Sequence, residues 1–233
     1  MSVQQVLEDC MCCMTSQNRA IIGCGRTDAG VHARQYFAHM DHPGFDFDPV
    51  DRLNRMLPDD VTVFEFIPLH DRAHSRFDAI QRTYQYHIHL SRDPFLAPYS
   101  TYMEWASPDF GLLDRGLEFL LGLEDFRHVC LTPDRTNNTI CPLNSAGFTV
   151  STDGRRVVFT FSAARFLKSM IRIMVARLIE LAMGKISLSQ FEDINTGNAR
   201  LKYSTIAYPQ GLHLVSVQYP YLDRPLISGV GQF

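Results

Sequence analysis

The chain has 233 residues, 45% of them hydrophobic and 20% charged, with a formal net charge of −3. That is the make-up of a globular protein with room for one large domain or two small ones. The most apolar run, residues 166–183, is interrupted by Lys168, Arg172, Arg177 and Glu180, so no membrane span is expected. Met1-Ser2-Val3-Gln4-Gln5 has no basic segment feeding an apolar one, so no secretory signal is expected and a cytoplasmic home is. Cys10, Cys12, Cys13, Cys24, Cys130 and Cys141 are then expected as free thiols. No second cysteine or histidine pair stands at finger spacing, and helical spacing places Cys10 and Cys13 in the core, so no metal is expected. With a net negative charge, any contact with nucleic acid requires a local basic patch.

Ser2-Val3-Gln4-Gln5 reads as a capping box, followed by Val3, Val6, Leu7, Cys10, Cys13 and Met14 at helical spacing. Residues 20–24 read as a short buried strand, β-branched and bounded by glycine. A loop follows, Gly25-Arg26-Thr27-Asp28-Ala29-Gly30-Val31-His32-Ala33, in which two glycines bracket charged residues at a strand end. Residues 34–40 alternate like a strand, Asp48-Pro49 opens a helix through Met56, and residues 61–66 read as another strand. The segment 72–82 carries Arg72, His74, Arg76 and Arg82 with Phe77 close by, and is the most basic and aromatic stretch. The strand over 82–90 puts Tyr84, Tyr86 and Ile88 on one face and Gln85, His87 and His89 on the other, the two histidines being expected at the surface.

Pro94, Pro98 and Pro108 mark a connection between two halves. A helix is expected over 109–121, a long loop over 122–142, and a hairpin of strands 145–152 and 155–162 about Asp153-Gly154. A long helix over 164–183 ends at Gly184, Ser187-Leu188-Ser189-Gln190 caps a short one, and residues 212–219 close the fold as a strand. The pattern predicts an α+β protein with helices on one side of a largely antiparallel sheet, its two related halves sharing that sheet with a cleft between them.

Asp28 has two readings. It is a turn residue paired with Arg26, or it is a nucleophile or general base whose charge an arginine balances. Spacing does not choose between them. On a helical wheel Arg165, Lys168 and Arg172 share one side, and Arg172 stands among Met170, Ile171, Ile173 and Met174. An arginine that deep in an apolar run calls for a carboxylate partner, and Asp28 is the candidate.

The nine-residue loop resembles the signature of the tRNA pseudouridine synthase A family, in which that aspartate is the catalytic residue. The likeness covers nearly the whole chain. Arg82-Thr83-Tyr84-Gln85-Tyr86 resembles the family's tyrosine segment, whose first tyrosine, here Tyr84, packs on the target base. Phe166-Leu167-Lys168-Ser169-Met170-Ile171-Arg172 resembles the helix whose arginine, here Arg172, pairs with the aspartate. Gly211-Leu212-His213-Leu214-Val215-Ser216-Val217 resembles the closing strand, whose leucine, here Leu212, lines the pocket. Arg26 is implied as a contact to the backbone or the vacated base stack.

The resemblance implies the pseudouridine synthase fold, with two ferredoxin-like subdomains: 1–80, carrying the Asp28 loop, and 81–233, carrying the tyrosine strand, the arginine helix and the closing strand. It implies conversion of uridine to pseudouridine at positions 38–40 of transfer RNA by a homodimer that needs no cofactor and no metal. Family chains start with a strand ahead of the first helix, and this sequence opens at that helix. The alternative is a tRNA-binding or truncated member without turnover. A hydrolase acting on a phosphate or ester would want a histidine base or a metal, and only His32 lies near.

Overall fold

The computed structural model describes residues 1–105, 108–199 and 205–224, which fall into two units, residues 1–26 with 36–79 and residues 27–35 with 80–233. The first opens where Ser2, extended, accepts from the Gln5 amide and starts α1 (Val3–Thr15). Gln5 does not complete the box, because its side chain donates forward to Asp9 at 2.8 Å. The buried stripe of α1 runs through Met11 and Met14, with Leu7 and Cys10 partly covered. Cys13, expected in the core, lies off that stripe and is exposed.

Early strand content is smaller than the alternation suggests: β1 (Ile22–Gly23), β2 (His32–Ala33) and β3 (Ala38–His39) are two residues each. β1 pairs antiparallel with β3 as a two-stranded sheet in the first unit, and β2 belongs to the second. The expected strand over 34–40 stops because the Gln35 side chain, not the backbone, takes the Val217 amide at 3.0 Å. Asp48 caps α2 (Pro49–Asn54) through the Val50 and Asp51 amides. The strand expected over 61–66 does not form. Asn54 donates to the Val63 carbonyl at 2.7 Å and accepts from its amide at 2.8 Å, so one side chain occupies both groups a neighbouring strand would use. Met11, Met14, Ile21, Leu53 and Leu57 form the buried centre of this unit, walled by Phe45, Phe47, Val63 and Phe66.

The second unit is built on a six-stranded sheet. Its further strands are β4 (Gln81–His89), β5 (Thr101–Tyr102), β6 (Leu143–Val150), β7 (Arg156–Ala163) and β8 (Leu212–Gln218). The order is β2-β8-β4-β7-β6, with β5 also on β4; β2 on β8 and β5 on β4 are parallel and the remaining pairs antiparallel. Asp153-Gly154 turns β6 into β7 as its chemistry requires, with Gly154 at φ +69. Three helices accompany the sheet: α3 (Phe110–Gly122) capped by Asp109, α4 (Met170–Ala182), and α5 (Leu188–Thr196), opened by a full capping box of Ser187 and Gln190. Among the described residues the strands form two separate sheets rather than one shared sheet, in a mixed α+β protein. No helix among them is long and apolar enough to cross a membrane.

Two expectations fail here. The helix expected over 164–183 begins only at Met170, because Ser169 is left-handed at φ 56 and breaks the run. Arg165 and Lys168 therefore share no helical face with Arg172; both are exposed, and the Arg165 guanidinium donates to the Asn138 carbonyl. The histidines of β4 are not surface groups. His89 is 2% exposed and meets the Ser100 hydroxyl at 3.0 Å, and the His87 ring packs on His213 at 4.6 Å.

Candidate active site

Asp28 lies in a turn closed by the Val31 amide, which donates to the Asp28 carbonyl at 3.2 Å. Gly30 turns the chain at φ +80, where a side chain is strained, and a Cβ there would stand 3.1 Å from Pro209 Cγ. β2 follows at once, with His32 opposite His213 and Ala33 opposite Leu214 on β8. The loop is thus anchored to the sheet one residue past Val31.

The partner of Asp28 is 144 residues away. Arg172, in the first turn of α4, donates Nη1 to Asp28 Oδ2 at 2.6 Å and Nε to the Ala207 carbonyl at 2.7 Å. The Ala207 amide returns to the Arg172 main-chain carbonyl at 3.1 Å, so residue 207 is bonded to both the backbone and the side chain of Arg172. Ser169 occupies the cap position of α4 but makes no cap bond with its side chain; its hydroxyl donates to the same Oδ2 at 2.9 Å. The cap residue and the first-turn arginine thus both donate to the same carboxylate oxygen. The pair is partly buried, with 16% of the Arg172 side chain and 29% of that of Asp28 exposed. Among the described residues Asp28 Oδ1 takes no hydrogen bond.

Tyr86 supports the arrangement from β4. It is fully buried, and burial pushes its phenol up to about 12, with the Thr101 bond and the charge of Arg172 pulling less strongly the other way. It stays protonated and donates to the Tyr208 carbonyl at 2.8 Å, while sharing a 2.7 Å bond with Thr101. Gly211 lets this segment lie close: a Cβ there would stand 2.8 Å from the Tyr86 ring. The backbone from 207 to 211 thus fixes Arg172 at one end and rests on Tyr86 at the other.

Of the remaining residues singled out from sequence, Tyr84 and Leu212 share one face of the sheet. Tyr84 stands opposite Leu214 and Leu212 opposite Tyr86. Tyr84 is 9% exposed and meets Phe166 edge-on at 5.2 Å; Leu212 is 7% exposed. Arg26 is exposed and belongs to the first unit. The ion pair of Asp28 is made with Arg172. Sequence reasoning passed over Ser169 and Tyr86. Ser169 carried a signal, as a hydroxyl three residues before an arginine at the edge of an apolar run, whereas nothing separated Tyr86 from an ordinary core tyrosine.

A carboxylate held at one oxygen by an arginine and a hydroxyl, on an α+β scaffold, is an arrangement that can take part in acid–base or nucleophilic chemistry. The model of a family described as tRNA pseudouridine synthase matches residues 118–220. The chain is 36% identical over 225 residues to the tRNA pseudouridine synthase A of Parabacteroides distasonis, covering 94% of this chain and 87% of that one. It is 36% identical over 222 residues to the enzyme of that name from Bacteroides fragilis, with the same shares covered. It is 31% identical over 226 residues to that of Dictyoglomus turgidum, covering 94% of this chain and 90% of the relative. The chain belongs to the tRNA pseudouridine synthase family, a family of isomerases.

Proposed function

We propose that this chain converts uridine to pseudouridine in the anticodon arm of transfer RNA, at positions 38–40, with Asp28 as the catalytic residue. It does so in the cytoplasm as a homodimer, without metal or cofactor. The observation that carries the reading is the Asp28–Arg172 pair, formed within a chain that matches relatives named for this activity over 94% of its length.

The reaction is an isomerisation. The bond from N1 of uracil to C1′ of the ribose breaks, a bond from C5 to C1′ forms, the proton on C5 leaves and one arrives at N1. The base has to leave the helical stack and be held while it turns over. Asp28 supplies the open oxygen Oδ1, as nucleophile on the ribose or ring or as base in an elimination. Arg172 and Ser169 fix Oδ2 so that the other oxygen keeps one direction. Tyr84 and Leu212 flank the base, the tyrosine by stacking, and Arg26 contacts the RNA backbone or the vacated stack. The kinship of two ferredoxin-like subdomains, 1–80 and 81–233, is part of the same reading.

The test is the chain incubated with a transfer RNA transcript bearing uridine at 38–40, with pseudouridine mapped by carbodiimide labelling. The expected product is pseudouridine at those positions. Asp28→Asn should fall below about one per cent of the parent rate while holding transfer RNA within a few-fold of parent affinity. Binding without product would make the chain a tRNA-binding member without turnover, and product at other uridines would remove the positional assignment.

A further inference from the structure

The strands that present Tyr86 and Leu212 beside the Asp28–Arg172 pair turn His87 and His213, one residue further along each, to the opposite face of the sheet. There the His213 ring lies 4.6 Å from His87 and 4.9 Å from His32. His32 Nε2 meets the Pro98 carbonyl at 3.0 Å and His213 Nε2 the Tyr99 carbonyl at 2.7 Å. Carbonyls only accept, so both rings carry their proton on Nε2 and tie the 98–99 backbone down over the sheet. Beneath it is a cavity of about 90 Å³, lined among others by Arg34, His87, Ser100, Arg156 and His213.

The charged groups of this lining are the two arginines; it holds no carboxylate, and Ile88, Leu96, Tyr99 and Val158 supply its apolar wall. Arg34 follows β2 on the same face as His32, and Arg156 and Val158 of β7 stand opposite His89 and His87. Neither arginine is in an ion pair among the described residues. Arg34 Nε and His87 Nε2 are buried without a hydrogen-bond partner. Such groups call for an occupant, because buried donors are nearly always satisfied by protein, water or ligand. His87 is held down to about 3, by burial first and then by His213, Arg34 and Arg156, and no carboxylate offsets them.

We propose that this cavity binds a small free oxyanion of the phosphate or sulfate class, with Arg34, Arg156 and His87 as its ligands. A water occupies roughly 30 Å³ in the liquid, so the space takes several waters or one tetrahedral oxyanion. Two guanidinium groups and the His87 Nε2–H tautomer supply donors without an acceptor to repel the charge. Of the three ligands only Arg156 is exposed, and it marks the mouth. The occupant would join β4, β7 and the residue after β2, the strand that leads out of the Asp28 loop.

The chain in chloride buffer at pH 7 is titrated with inorganic phosphate and with sulfate at constant ionic strength, by calorimetry and by the ¹⁵N signals of the histidine rings. Saturable binding of one anion per chain is expected, with a shift of the His87 ring. Arg34→Gln and Arg156→Gln should each weaken it by about tenfold. Arg156 is exposed, so an unchanged thermal midpoint of Arg156→Gln in chloride certifies its fold. Absence of saturation, or equal affinity in parent and Arg156→Gln, overturns the proposal and leaves the cavity to water. Displacement of phosphate from this site by transfer RNA, abolished in Arg156→Gln, also overturns it, because the ligand is then the RNA backbone.

Discussion

Ser169 donates its hydroxyl to Asp28 Oδ2 at 2.9 Å from a left-handed backbone at φ 56. A serine at the start of a helix ordinarily caps that helix, and here the hydroxyl goes instead to the carboxylate. The residue combines a strained backbone with a positioning bond, and two substitutions separate them. Ser169→Ala loses the bond and keeps the strain, while Ser169→Gly loses the bond and relieves it. Pseudouridine formation should fall about tenfold in both, and Ser169→Gly should be the more stable by about 1 kcal/mol in urea unfolding. Full activity in Ser169→Ala would remove the hydroxyl from the site.

Arg172→Met should depress activity far more than Arg165→Met. Only Arg172 is partly buried against a carboxylate, and removing it leaves Asp28 without its charge partner at a cost of about 2 kcal/mol. Arg165 is exposed and bonds a carbonyl. Steady-state rates with transfer RNA, together with thermal midpoints, read both effects. Equal losses would mean that the two arginines act alike as phosphate contacts.

Gly30→Ala should lower both the thermal midpoint and the rate, because the residue sits at φ +80 with Pro209 Cγ 3.1 Å from the added Cβ. A cost of about 1–2 kcal/mol is expected from the backbone alone. Gly25→Ala is the matched control, with nothing within 4 Å of its Cβ. If the two variants behave alike, the Asp28 loop does not depend on the turn at Gly30.

Stability should decline as pH falls below about 6.5, the ordinary value of histidine. Burial, the largest cause for both, holds His87 at about 3 and His213 at about 4, so the folded chain keeps both rings neutral where the unfolded chain takes up protons. The stabilisation is complete above the unfolded value and is lost as pH drops from there toward the folded values. Each ring contributes a slope of about 1.4 kcal/mol per pH unit across that interval. Urea midpoints between pH 7.5 and 5 should fall less steeply in His213→Asn than in the parent; parallel curves would show that His213 is solvated.

Local chemistry was legible wherever the partners lie a few residues apart. Ser2, Asp48, Asp109 and Ser187 begin helices as their side chains dictate, and Asp153-Gly154 turns the hairpin, because a cap or a turn needs only its immediate neighbours. The charge of Arg172 inside an apolar run also pointed beyond its helix, since a cation there requires a partner from somewhere.

Tertiary structure decided what depends on distant groups. Asn54 replaced a strand neighbour for Val63, Ser169 gave up helix for a bond to Asp28, and Cys13 lost its place in the core to Met11 and Met14. Alternation along β4 assigned His87 and His89 to one face but said nothing of what covers it, and residues 96–100 bury what a strand pattern alone leaves open. The sequence by itself determined which side chains share a face of β4 and where the helices opened by Ser2, Asp48, Asp109 and Ser187 start. Which faces are covered, and that Ser169 joins Arg172 on one oxygen of Asp28, was settled only when segments more than a hundred residues apart came into contact, because desolvation and ion pairing depend on distance in space.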